Sequence, residues 1–280
     1  MTSCIVCGGR YRPAAIPGLV RCGSCGFISA DMLLSTAELK RLYSAQYFAG
    51  EEYRNYLEER PIIEKHFDAR LNKLLQYLPN PDSKHLLEIG CAYGFFLTLA
   101  KKVFATVEGV DISADAISYA RREFQLRVAE IDFLEYFPEN SINVICMWDT
   151  LEHVQSPHAY IKKATSLLGR GGFIAITTGD IDSIVARMRG AQWRQIHPPT
   201  HLHYFSKRTL ANLLERHGFK IRYAGSDGQY RSLDTIAYGI LMIKHKHSRL
   251  YHALKNSGLL RVSLYLNLYD IMYVIAEKGA

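Results

Sequence analysis

LLEIGCAYGFF, residues 86–96, has the form of an apolar strand running into an acidic residue and a glycine-bearing turn, Glu88-Ile89-Gly90-Cys91-Ala92-Tyr93-Gly94. After a short helix, VEGVDIS at 107–113 supplies a second strand that ends in Asp111, seventeen residues beyond Gly94. Glycines let the backbone approach a ligand where a side chain would block it, and the amides that open the following helix face that ligand. An acid at the tip of the next strand is placed to accept hydrogen bonds from a ribose diol. These features describe a nucleoside-containing cofactor lying across the carboxyl edge of a parallel sheet.

The glycine spacing narrows the cofactor. A dinucleotide fold uses GxGxxG, because the backbone must close around a pyrophosphate. Here the pattern is ExGxxxG, from Glu88 through Gly90 to Gly94, without the second of those glycines. This looser turn resembles the first motif of class I S-adenosylmethionine-dependent methyltransferases, whose cofactor carries no phosphate. A turn that needs glycine only for packing is the plainer alternative, and Asp111 at the right distance argues against it.

Composition sets the outer bounds. The 280 residues suffice for one full α/β domain plus an appendage. At 48% hydrophobic and 22% charged the chain reads as an ordinary soluble protein. No signal-like segment precedes the first cysteines, and no long uncharged apolar run suggests a membrane span, so the expected location is cytoplasmic. The net charge of +7 leans only weakly toward nucleic acid, anionic lipid or acidic glycans.

Cysteine usage is uneven. Four of the six cysteines lie in the first 25 residues, as Cys4-Ile-Val-Cys7-Gly and Cys22-Gly-Ser-Cys25-Gly. In each CxxCG knuckle two thiolates converge on one metal, and the trailing glycine permits the tight turn. Two knuckles fourteen residues apart fit a tetrahedral structural zinc site in a ribbon spanning 1–31, although a rubredoxin-type iron site shares the spacing. Cys91 and Cys146 read as small packing residues. Arg10, Arg12 and Arg21, with no acid before Asp31, would let the ribbon touch an anionic partner.

Residues 32–82 read as a helical connector, with one helix from Ala37 to about Tyr43 and another opened by Pro61. Between them Tyr43, Tyr47, Phe48, Tyr53 and Tyr56 either pack the ribbon against the main domain or form a lid over the cofactor. From residue 83 strands and helices alternate, which predicts a parallel sheet with helices on both faces: a Rossmann-like α/β fold of seven strands, YDIMYVIAEK at 269–278 being the antiparallel last strand. Residues 227–268 read as a substrate-side insertion, closing the acceptor pocket or presenting an amphipathic surface to anionic membrane.

Two runs carry the chemistry. Asp149, Glu152 and His153 form DxxEH after the fourth strand, on one face if a helix begins there. Then His197-Pro-Pro-Thr-His201-Leu-His203 places three histidines within seven residues. Neutral imidazole can take a proton from a hydroxyl as a methyl group arrives.

Residues 86–218 resemble the broad S-adenosylmethionine methyltransferase family that includes ubiquinone-biosynthesis O-methyltransferases and many sugar and natural-product methyltransferases. FPENSINVICMWDTLEHVQSP at 137–157, LLGRGGFIAITT at 167–178 and WRQIHPPTHLHYFS at 193–206 carry the resemblance. The cysteine-rich prefix is similar to that of deoxysugar C-methyltransferases. The resemblance implies Glu88, Gly90, Cys91, Ala92 and Gly94 around the methionine moiety, Asp111 on the ribose, Ile112, Ile131 and Asp132 near the adenine, and Trp148 on the pocket wall. It implies His153, Glu152 and His201 as the catalytic set. DxxEH then has two readings, a divalent cation at Asp149, Glu152 and His153, or His153 acting alone as base.

The expected function is methyl transfer to a small-molecule acceptor, a sugar, glycolipid or secondary metabolite. The alternative is an RNA methyltransferase reading RNA through its ribbon, and MWDTLEH lacks the motifs of base N-methylation and cytosine C5 chemistry. Nucleic acid is therefore the less favoured partner, peripheral membrane contact stays open, and a binding-only protein is the third reading. The sequence leaves the oligomeric state open.

Overall fold

The computed structural model describes residues 3–34, 38, 41–42, 56–139, 141–238, 241–242 and 246–279. Most of the helix expected at 37–43, and the aromatics Tyr43, Tyr47, Phe48 and Tyr53, lie outside those residues.

Strands β4 (His85–Ile89), β5 (Thr106–Asp111), β6 (Arg127–Glu130), β7 (Ile142–Trp148), β8 (Leu168–Gly179), β10 (Phe219–Ser232) and β11 (Ser263–Lys278) form a seven-stranded sheet in the order β10-β11-β8-β7-β4-β5-β6. Pairings from β6 through β8 are parallel, and β11 is antiparallel to both β8 and β10. The central strands β4 and β7 are buried almost end to end, as strands covered on both faces must be. In β7, Val144, Cys146 and Trp148 enter the core cluster on one face, and Ile145 and Met147 the cluster on the other. From β4 the chain winds outward to β6, then returns to place β7 on the opposite flank of β4. That reversal opens a crevice at the carboxyl ends of β4 and β7, where open α/β sheets bind ligands.

Helices α1 (Arg60–Leu75), α2 (Phe95–Ala100) and α3 (Ala114–Phe124) cover the first face. On the second face lie α4 (Pro157–Leu167) and α6 (Lys207–Arg216). Between those two, α5 spans Ile184–Arg189. Among the described residues no helix is long and apolar enough to cross a membrane.

The amino-terminal strands β1 (Tyr11–Pro13), β2 (Leu19–Cys22) and β3 (Ile28–Ala30) make an antiparallel meander, and the sheet is completed from far along the chain by β9 (His203–Tyr204). Val6 and Phe27 sit in the same buried cluster as Leu210 and Leu213 of α6, so the ribbon shares the core of the second face. Arg216 Nη1 donates to the Val6 carbonyl at 2.6 Å.

Two strands run longer than the sequence pattern suggests. The expected strand at 220–226 extends to Ser232 and the one at 269–278 begins at Ser263, because their distal halves pair as a hairpin, Gln229 opposite Leu266 and Tyr230 opposite Tyr265. The segment 227–268 therefore begins and ends as strand, and helices α7 (Leu233–Ala237) and α8 (Ser248–Asn256) lie between its arms.

Gly94 caps α2 with φ +77°, and a Cβ there would stand 2.5 Å from Leu126 Cδ1. Gly94→Ala combines backbone strain with that collision, so we expect a loss of about 1–3 kcal/mol, read from urea unfolding midpoints at unchanged m-value.

Candidate active site

A cavity of about 630 Å³ opens at the crevice beside β4 and β7, a size that suits a cofactor and a small co-substrate. Its lining brings together most of the residues singled out in the sequence: Glu88, Gly90, Cys91, Ala92, Asp111, Ile112, Ile131, Asp132, Trp148, Glu152, His153 and His201. Gly94 is the exception, buried behind the turn against Leu126, where it shapes the backbone without reaching the cavity wall.

The turn after β4 is held from the next strand. Gly90 and Cys91 amides both donate to the Val110 carbonyl, at 2.8 and 3.2 Å. Asp111 Oδ2 accepts from the Ala92 amide at 2.8 Å, and Oδ1 from the Ser113 amide at 2.9 Å. Gly90 has φ +76°, and a Cβ there would strike Thr150 Oγ1 at 2.5 Å, so this corner admits only glycine. Burial raises the Asp111 pKa, partly offset by the amide bonds from Ser113 and Ala92. Each carboxylate oxygen keeps a second lone pair for a ligand. Asp132 is more committed, since Oδ1 accepts from the Leu134 amide and from the Tyr160 hydroxyl.

Glu88 lies at the cavity floor, 2% exposed, and its Oε2 has no partner among the described residues. Burial, with the Asp111 charge adding to it, pushes its pKa well above the usual carboxylate range. An orphaned buried carboxyl beside a glycine turn and a ribose-level acid fits a bound nucleoside with a cationic head.

Residues 149–155 form turns rather than the helix on which the same-face expectation for Asp149, Glu152 and His153 rested. Asp149 has φ +48° and turns its carboxylate to Arg70, whose Nη1 lies 2.9 Å from Oδ2. The group that joins Glu152 and His153 is instead His201, and the donor atoms of these three all lie within 4.8 Å of one another. The proposed cation set is thus corrected at one position: His201 stands where Asp149 was expected. Glutamate and two imidazoles suit a divalent ion, though the cluster works equally as a proton-handling site.

His201 donates from Nδ1 to the Gln195 carbonyl at 2.9 Å, and His153 from Nδ1 to the Thr200 carbonyl at 2.9 Å. Both bonds place the proton on Nδ1 and the lone pair on Nε2. Burial lowers the His153 pKa to about 4 and takes that of His201 well below its ordinary value, with the His153 charge adding to the second shift. Both rings are therefore neutral near pH 7. Glu152 moves the other way, to about 8, through burial and then the Asp149 charge. His203 faces away, 1% exposed, with Nδ1 at 2.8 Å from Ser29 Oγ in the ribbon. His197 bonds to the Thr200 hydroxyl, and its ring centroid lies 3.8 Å from that of His201, the two rings tilted by 40°.

Arg70 is the functional residue that sequence reading missed. It is 4% exposed on α1, bridges Asp149 and Asp227 (Nε to Oδ2, 2.7 Å), and lies 5.6 Å from the Trp148 ring. Its signal was an arginine in the apolar stripe Ile63, Phe67, Arg70, Leu71, Leu74, where a charge survives only if paired. His66, one turn earlier on the same helix, holds the hairpin backbone through the Tyr230 carbonyl at 2.9 Å.

At the amino terminus the four cysteines converge: Cys4 and Cys25 sulfurs are 3.6 Å apart, those of Cys7 and Cys22 3.4 Å. The Gly9 amide points at Cys7 Sγ and the Cys25 amide at Cys22 Sγ. Free thiols in tetrahedral proximity, with amides aimed at sulfur, fit zinc.

A family profile described as a methyltransferase domain matches residues 56–224, and the chain belongs to that family. The seven-stranded sheet and its crevice are those of the class I S-adenosylmethionine-dependent methyltransferase fold. Among relatives, the ubiquinone biosynthesis O-methyltransferase of Glaesserella parasuis is 30% identical over 106 residues, 34% of this chain and 45% of that protein. The chain thus spans under half of that relative. The enzyme of the same name from Pelagibacter ubique is 25% identical over 179 residues, 57% of this chain and 75% of that one. Among solved structures, a methyltransferase from Bacillus halodurans superposes with a TM-score of 0.55 at 14% identity, covering 76% of this chain and all of that one. The [4+2]-cyclase SpnF does so with 0.53 at 15%, covering 78% and 82%. A Haloferax volcanii methyltransferase complex with the activator Trm112 reaches 0.57 at 13%, covering 80% and 95%. At these identities the structures share the fold, which by itself does not dictate the reaction.

Two outcomes are expected. Arg70→Met leaves the largely buried Asp227 and the part-exposed Asp149 without their cation, costing about 3 kcal/mol in denaturant titration. The second concerns pH. A carboxyl whose folded pKa is raised from 4.5 to about 8 binds more protons folded than unfolded, so stability falls as pH rises through that window. Glu152→Gln removes this term, and its Tm should gain on wild type from pH 5 to 8; parallel Tm curves would count against the shift. The His153 shift, from 6.5 to about 4, acts oppositely and only below 6.5, in both proteins.

Proposed function

We propose that the chain transfers a methyl group from S-adenosylmethionine to a nucleophilic atom of a small-molecule acceptor, a sugar, glycolipid or secondary metabolite, with His201 or His153 as base. One observation carries this reading: the neutral imidazoles of His153 and His201 and the residues Gly90 and Asp111, read as the nucleoside site, line one and the same cavity. Bound S-adenosylmethionine supplies a methyl carbon made electrophilic by its sulfonium. Asp111 accepts from the ribose hydroxyls and Ile112 and Ile131 flank the adenine, while Gly90 and Ala92 admit the methionine chain. The Asp111 and Asp132 carboxyls in the cavity lining favour a cationic donor over an anionic one.

On the acceptor side, imidazole Nε2 takes the acceptor's proton as the acceptor's lone pair forms the new bond to carbon and the carbon–sulfur bond breaks. Proximity and alignment supply most of the rate and the base a further share. In the metal-free form of this reading Glu152 and its hydrogen bonds orient the loop. Were a cation bound, Glu152, His153 and His201 would hold it, and added magnesium or manganese would raise the rate of dialysed enzyme. We expect no such rise. The division into ribbon 1–31, connector 32–82 and catalytic domain 83–280 belongs to the same proposal.

The RNA reading draws on Arg10, Arg12 and Arg21, all exposed on the ribbon. It requires RNA binding that weakens steeply with salt.

Asp111→Ala should raise the donor Kd about 10- to 100-fold in calorimetry, the worth of hydrogen bonds to a charged group. His201→Ala and His153→Ala should leave donor Kd unchanged. At least one of them should lower kcat toward candidate nucleotide sugars by about 100-fold or more. Full rates in both variants would rule out a histidine base.

A further inference from the structure

We propose that the cysteine ribbon is the brace that fixes His201, with Ser29 and His203 as positioning residues, so that zinc occupancy governs methyl transfer separately from donor binding. The inference rests on the reading of His201 given above.

The loop bearing His201 has little regular structure of its own between Gln192 and β9. Its order comes from two clamps on the next residues. On one side, the Leu202 and His203 amides both donate to the Glu152 carbonyl, at 2.9 and 3.1 Å. On the other, the Leu202 carbonyl accepts from the Ala30 amide at 2.8 Å and from Ser29 Oγ at 3.2 Å. Strand β3 pairs with β9 in the register Ser29 opposite His203 and Ile28 opposite Tyr204. The fully buried Ser29 hydroxyl also meets His203 Nδ1 at 2.8 Å. Tyr204 returns its hydroxyl to the His201 carbonyl at 2.8 Å. Phe27 stacks 5.8 Å from His203 and lies 4.9 Å from Phe205. The residue that follows His201 is thus held between Glu152, a member of the same cluster, and the ribbon.

The brace is only as firm as the ribbon. Strands of three or four residues in a piece of this size bury too little apolar surface to hold a fold unaided, and a structural metal supplies the missing free energy. Zinc on Cys4, Cys7, Cys22 and Cys25 would therefore fix β3, β3 would fix β9, and β9 would fix His201. The donor end is built differently. The turn at 90–92 hangs on Val110 and Asp111 inside the parallel sheet, and no ribbon residue bonds to it among the described contacts. The two ends of one cavity therefore depend on separate supports.

Hydrogen–deuterium exchange on the full-length protein, zinc-loaded and after chelation, reads these supports without any acceptor. We expect residues 197–205 to lose protection by about tenfold or more on zinc removal while 86–92 and 107–112 keep theirs, with S-adenosylmethionine binding retained in calorimetry. Unchanged protection at 197–205 overturns the proposal, and so does joint loss at both segments. A second arm uses zinc-loaded Ser29→Ala. The expected result is kcat lowered about tenfold, unchanged donor Kd and zinc content, and shifted imidazole nitrogen resonances of His201. Unchanged kcat with unchanged resonances overturns the positioning role. A wild type that shows the expected exchange pattern but transfers no methyl group would instead fail the functional reading and leave the brace supported.

Discussion

One buried guanidinium organises the carboxyl edge of the sheet. Arg70 takes Asp149 from the tip of β7 and Asp227 from β10, and its own carbonyl accepts from the Tyr273 hydroxyl of β11 at 2.9 Å. A helix that precedes the sheet in sequence is thereby tied to three of its strands. The cavity around it is rich in carboxyls, and so much like charge in a low-dielectric space cannot all be ionised. Arg70 balances two of them, while burial favours the protonated forms of Glu88 and Glu152. The result is a polarised pocket that suits the cationic donor proposed for it.

The two halves of the site obey different mechanics. The residues proposed to hold the donor stand on strand ends, whose positions follow from the parallel ladder between β4 and β5. The histidines stand on irregular chain, and irregular chain is positioned by whatever satisfies its backbone amides and carbonyls. Here those partners come from Glu152 and from a ribbon strand about 170 residues earlier. Trp193 and Arg194, at the start of the same loop, are secured by the buried Asp270 carboxylate. Acceptor specificity in such an arrangement can change by altering loop and brace without touching the donor site, consistent with one fold serving methyltransferases and a cyclase alike.

Much of the architecture was legible in local pattern. The strand–turn–strand unit from Leu86 to Asp111 carries its geometry in nearest-neighbour chemistry: apolar runs for buried strands, glycine where φ must be positive, an acid where the strand stops. The CxxCG pairs were equally readable as a cluster of four sulfurs, because the close spacing within each pair is local. DxxEH misled at one position. Periodicity assumed a helix, and the chain instead leaves β7 through Asp149 at positive φ, which turns its carboxylate to Arg70 and lets His201 take its place beside Glu152. No local rule reports a partner fifty residues away.

The sequence by itself determined the class of fold, the glycine turn after β4 and the cysteine cluster, since each depends on interactions within a few residues or on strict spacing. Only the tertiary structure decided that Gly94 lies behind the cavity wall, that Arg70 is part of that wall, that the hairpin arms reach Ser232 and Ser263, and that the ribbon and the histidine loop share one sheet. Those outcomes depend on which distant groups meet in the packed core, where an unpaired charge or amide is too costly to leave alone.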